Sequence, residues 1–92
     1  MNTISRHLRI TGHVQGVGYR NYLEYQAQQL GISGWVRNRS DGSVEAVVHG
    51  TPAAVEAIIE CARRGPRASQ VSNVEVREDA GDYASFETRQ TV

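Results

Sequence analysis

The sequence predicts an α+β fold in the order β-α-β-β-α-β, with a short extra strand at the end. Two observations carry this prediction. Apolar residues alternate at a spacing of two in several short runs, the signature of half-buried strands. Between those runs lie two stretches whose apolar residues recur at three and four, the signature of amphipathic helices.

The first strand is predicted over residues 6–11, "RHLRIT", where Leu8 and Ile10 share a face and Val14 follows in the same parity. The first helix is marked by Tyr19, Leu23, Ala27 and Leu30, and Gly31 supplies a left-handed C-terminal cap. The runs "ISGWVRNR" and "SVEAVVHG" are joined by Ser40-Asp41-Gly42, whose Asp-Gly chemistry predicts a hairpin. In the second helix Thr51 is a good N-cap and Pro52 takes the first helical position, where its missing N–H costs nothing. Val55, Ile58, Ile59 and Ala62 then form its apolar stripe, and "RRGP" closes it. Val74 and Val76 mark a fourth strand, and a short final strand is expected around Phe86 and Thr88. This order is the split βαβ, ferredoxin-like sandwich, with two helices on one face of a mainly antiparallel sheet. It hosts many unrelated activities, so function must come from particular residues.

Ninety-two residues suit a single domain spanning 1–92. No apolar run approaches the ~20 residues of a membrane span, and "MNTISRHLRI" has no hydrophobic signal core. Cys61 is the only cysteine, which excludes an intrachain disulfide and makes a reduced, cytoplasmic setting the expectation. All ten basic residues are Arg, so neither Schiff-base chemistry nor a P-loop lysine is available. Charge is unevenly spread: Met1 to Leu23 holds Arg6, Arg9 and Arg20 and no acid, whereas Glu75 to Glu87 holds five acids and one Arg. A basic first third suits an anionic ligand, but a net charge of zero is poorly suited to gripping long nucleic acid.

The stretch "GHVQGVGYR", residues 12–20, joins the first strand to the first helix. Gly16 and Gly18 free the backbone to turn its N–H groups inward as an anion-binding nest. The helix N-terminus adds partial positive charge, and Arg20 adds a planar fork suited to two phosphate oxygens. A G-x-x-x-x-G-K-[ST] loop is absent, as is the third glycine of a dinucleotide fingerprint. Taken alone, these features fit an anion cradle and a plain turn about equally.

"GHVQGVGYR" followed by "LGISGWVRNRSDGSVEAVVHG" closely resembles the two signature stretches of the acylphosphatase family, and the resemblance runs over about residues 5 to 79. It implies hydrolysis of carboxyl–phosphate mixed anhydrides to a carboxylate and inorganic phosphate, without metal or cofactor. By position, Arg20 matches the arginine that binds phosphate. The backbone of Gln15, Gly16, Val17, Gly18 and Tyr19 matches the cradle loop, and Asn38 matches the asparagine that orients the attacking water. Tyr19 stands where phenylalanine is commoner, and Gly18 is a small residue at a variable position. The expected partner is a small-molecule acyl phosphate, with no nucleic acid and no membrane, and monomer is the default. Absence of a general base fits this chemistry, since the carboxylate leaving group needs no proton and phosphoryl transfer relies on positioning and charge stabilisation.

Other residues have simpler readings. His7, His13 and His49 lack zinc-ligand spacing, and a solvated or hydrogen-bonding role is expected of His13. Cys61 reads as a small, partly buried filler and Trp35 as a structural aromatic. Arg37 and Arg39 alternate with Asn38, so they should point away from the phosphate, as solvated strand charges. The competing function is a non-enzymatic module of the same fold, sensing an anion or binding RNA. An RNA-recognition motif would need a K/R-G-F/Y-G/A-F-type segment, which is absent, and a phosphate sensor would have no use for Asn38.

Overall fold

The computed structural model describes residues 2–92. The chain runs β1 (Ile4–His13), α1 (Tyr19–Leu30), β2 (Ser33–Asn38), β3 (Val44–Gly50), α2 (Pro52–Arg64), β4 (Gln70–Asp79) and β5 (Phe86–Thr88). The strands form one five-stranded sheet in the order β4-β1-β3-β2-β5. Three neighbouring pairs are antiparallel, and the short β5 lies parallel to β2. Both predicted helices, the hairpin and the final strand are present in the predicted order. Strands β1 and β4 are longer than their apolar alternation indicates, because the two pair with each other over nearly their full lengths.

One face of the sheet carries the core. Leu8 and Ile10, Val36, Val44, Ala46 and Val48 are buried against Tyr19, Leu23 and Ala27 of α1 and Val55, Ile58 and Ala62 of α2. The helical stripes read from the sequence are the faces that are buried; full burial of a side chain such as Leu23 contributes roughly 2 kcal/mol. Helix α2 is capped as expected, with the Thr51 hydroxyl accepting from the Ala54 N–H at 3.2 Å and Pro52 in the first turn. Helix α1 ends on Gly31 in the left-handed conformation.

The other sheet face carries a paired cluster of charged residues beside buried Trp35 and Val47. Glu45 lies opposite Arg37 across the β2–β3 register and opposite Arg9 across the β1–β3 register. Its carboxylate accepts from His7 and Arg37, each at 2.7 Å, and from Arg39 at 3.2 Å. Trp35 is buried on this face, with the Arg37 and Arg89 guanidinium carbons each 4.8 Å from its ring centroid. Arg37 and Arg39 therefore do point away from the helix face, but as members of an ion-pair cluster rather than as free solvated charges. Beyond β5 the chain runs on beside β2, with Arg89 N–H donating to the Val36 carbonyl at 2.8 Å. No helix among the described residues is long and apolar enough to cross a membrane.

Candidate active site

The loop between β1 and α1 is shaped by two glycines. Gly16 and Gly18 have φ of 74° and 79°, while no non-glycine residue has positive φ among those described. Two positive-φ glycines one residue apart let successive backbone N–H groups turn to one side, the geometry of an anion-binding nest. Gly18 is also the N-cap of α1, and without a side chain it leaves the first N–H groups of the helix uncapped. The first turn has no acidic residue to use that positive end, in contrast to the side-chain cap on α2.

Three elements meet at this point. Val14, Gly16, Gly18, Tyr19, Arg20, Asn21 and Asn38 line a pocket of about 100 Å³. Asn38 is the last residue of β2 and shares the parity of buried Val36, so it reaches the helix face at the end of the strand. Arg20 forms no ion pair among the described residues, whereas Arg9, Arg37, Arg39 and Arg89 each have a carboxylate partner. The pocket thus combines a free guanidinium, uncapped amides and a carboxamide, with no carboxylate in its lining. A space of this size holds about three water volumes, the scale of a phosphoryl-sized oxyanion.

The ring of Tyr19 is buried beside the pocket, and its hydroxyl donates to the Ala62 carbonyl at 2.7 Å. Burial, with smaller contributions from Tyr22 and Cys61, pushes this phenol well above the ordinary tyrosine range, so it acts as a neutral donor. Of the loop residues singled out in the sequence, Gly16, Gly18 and Tyr19 line the pocket, together with Arg20 and Asn38. Val17 instead packs against the core, and the Gln15 side chain turns toward the β2–β3 turn. Val14 and Asn21 were not anticipated as lining residues. Val14 could have been found from its parity with Leu8 and Ile10, whereas Asn21 carries no sequence signal beyond adjacency to Arg20.

A larger cavity of about 410 Å³ lies at the other end of β1, roughly 30 Å away along the strand. Glu78, Asp79 and Asp82 line it and would repel a phosphate. Ser5 and His49 meet there at 2.6 Å, but the Ser5 hydroxyl donates to the Gly81 carbonyl at 2.7 Å and so accepts from His49 Nδ1–H. This pair ties strands together; it has the wrong polarity for a nucleophile and its base.

Fold and pocket together define a ferredoxin-like α+β domain with an oxyanion-sized site at a strand–helix junction. The family model described as Acylphosphatase matches residues 6–88. An acylphosphatase from Acidovorax is 53% identical over 91 residues, covering 98% of this chain and 94% of the relative. One from Thiobacillus denitrificans is 51% identical, covering 90% of this chain and 93% of the relative. Among solved structures, an acylphosphatase from Coxiella burnetii superposes with a TM-score of 0.92 at 36% identity, covering 96% of this chain and 94% of that one. The chain belongs to the acylphosphatase family.

Proposed function

We propose that this protein hydrolyses acyl phosphates at the 14–21 loop and Asn38, as its family membership implies. The reaction consumes one water and yields a carboxylate, inorganic phosphate and a proton. The guanidinium of Arg20 and the amides of residues 15–19 hold the non-bridging phosphoryl oxygens as charge redistributes toward the transition state. The Asn38 carboxamide orients the attacking water in line with the departing carboxylate oxygen. A carboxylate leaves without protonation, and the water's proton passes to the substrate's own phosphate, which accounts for a pocket lined by no general base.

The observation that supports this reading most strongly is the convergence of Arg20, Gly16, Gly18 and Asn38 on one small pocket at an uncapped helix N-terminus. The size of that pocket also favours broad acyl specificity, since it has room for the phosphoryl group and leaves the acyl portion outside. The test is hydrolysis of benzoyl phosphate with EDTA present, compared with p-nitrophenyl phosphate under the same conditions. Rapid cleavage of the anhydride and negligible cleavage of the ester are expected. Equal rates, or activity abolished by the chelator, would contradict the proposal.

A further inference from the structure

We propose that the side chain of Gln15 is a positioning residue, which sets the distance between the phosphate loop and Asn38; this rests on the functional reading above. Gln15 Nε2 donates to the Arg39 carbonyl at 2.7 Å and to the Ser43 carbonyl at 2.8 Å, bridging 24 and 28 residues of sequence. Both partners are carbonyl oxygens, so the amide nitrogen must face them and both of its hydrogens are used. The same two carbonyls close the β2–β3 turn: Arg39 O accepts from Gly42 N–H at 3.1 Å, and Ser43 O accepts from Arg39 N–H at 2.8 Å. Gln15 therefore fastens the start of the loop to the turn that begins directly after Asn38.

The geometry makes this a link between the two halves of the site. Arg20 and the loop amides sit on the β1–α1 segment, whereas Asn38 sits on the β2–β3 hairpin, and among the described side chains of residues 15–19 only Gln15 hydrogen-bonds to that hairpin. On the far side of the sheet, Glu45 braces the same hairpin through Arg37 and Arg39. Misplacement of a reacting group by about 1 Å can lower a rate by around 10²-fold, so a link that fixes loop against hairpin acts on turnover. A change confined to the Gln15 side chain removes neither a loop amide nor the Arg20 guanidinium, so phosphate affinity should be affected far less than turnover.

The test uses the whole protein with inorganic phosphate as the binding probe. Gln15→Met keeps the side-chain volume but removes both donors. We expect kcat on benzoyl phosphate to fall about 10-fold or more while the phosphate Kd stays within about twofold. In an Asn38→Ala background the same change should cost little further turnover, because there is no longer a water-orienting group to misplace. An unchanged kcat, a loss shared equally by phosphate affinity, or a loss that multiplies fully with Asn38→Ala would each overturn the inference. Wild-type turnover in Asn38→Ala alone would instead overturn the functional reading and the inference with it. Should Gln15→Met fail to fold, Gln15→Glu carries the test. Its carboxylate faces two carbonyls, and protonation restores one donor, so its kcat relative to wild type should rise as pH falls. A ratio that is flat with pH would count against the link.

Discussion

The Tyr19 hydroxyl donates to the Ala62 carbonyl at 2.7 Å, tying the first turn of α1 to the last turn of α2. Tyr22, one turn on, does the same to the Cys61 carbonyl at 2.8 Å. The Ala62 carbonyl lies in the last turn, where helix carbonyls run short of intrahelical partners, and the Tyr19 phenol satisfies it. The Cys61 carbonyl already accepts from the Gly65 N–H at 2.9 Å, so Tyr22 adds a second bond there. The helix that presents Arg20 is thus held at its N-terminal end by the end of the other helix. Tyr19→Phe should lower the unfolding free energy by about 1 kcal/mol, because it leaves a buried acceptor unpaired. Urea denaturation would show this as a lower midpoint with an unchanged slope.

Arg20 should tolerate no replacement. Arg20→Ala is expected to cost about 2–5 kcal/mol of transition-state binding, roughly 30- to 5,000-fold in kcat/KM, and competitive inhibition by inorganic phosphate should disappear. Arg20→Lys should fail too, since a point charge cannot make the planar two-oxygen contact. Steady-state kinetics with and without phosphate decide this, and near wild-type kcat/KM for a folded Arg20→Ala would contradict the assignment.

Acid should weaken the sheet through Glu45. Burial alone would raise this carboxyl, but hydrogen bonds from His7 and Arg37 outweigh it and hold the group below its ordinary value. A carboxyl depressed in the folded state contributes stability above its unfolded pKa, near ~4.3, and that contribution is lost as pH falls through the folded value. Glu45→Gln should therefore be about 1–2 kcal/mol less stable than wild type at neutral pH. The gap should close below about pH 4. Thermal melts of both proteins across pH would check it; a gap independent of pH would show that packing, not charge, is responsible.

Histidine is the side chain that changes charge near neutrality, and no histidine lines the small pocket. Replacing His7, His13 and His49 together by Gln should leave the pH profile of kcat/KM unchanged wherever the variant is folded. The substrate's own phosphate ionisation then remains as the natural titration in that range. Loss of an ionisation seen in wild type would show that a histidine takes the water's proton.

Much of this molecule was legible because local chemistry dictates it. The Thr51-Pro52 start and the stripe from Val55 to Ala62 are self-contained signals, as are the glycines of the 16–18 turn. Asn38 and Arg20 could be placed together because motif and topology agreed. Contacts between distant segments left no local trace. Gln15 reads as one more polar loop residue until the hairpin is folded beside it, and its carbonyl partners have no side-chain identity to read. The hairpin register makes Arg37 opposite Glu45 foreseeable, but His7 joins them only through the β1–β3 pairing. Trp35 could be read as structural from its strand, yet the two arginines stacked on it come from β2 and from the chain beyond β5.

The division of labour between Arg20 and Asn38 is tested most directly by measuring kcat and phosphate Kd together for Asn38→Ala. The proposal assigns Asn38 to the water, so kcat should fall about 10²-fold or more while phosphate binds with near wild-type affinity. If phosphate affinity collapses in step with turnover, Asn38 is a ligand of the phosphoryl group and the assignment of the water to it is wrong.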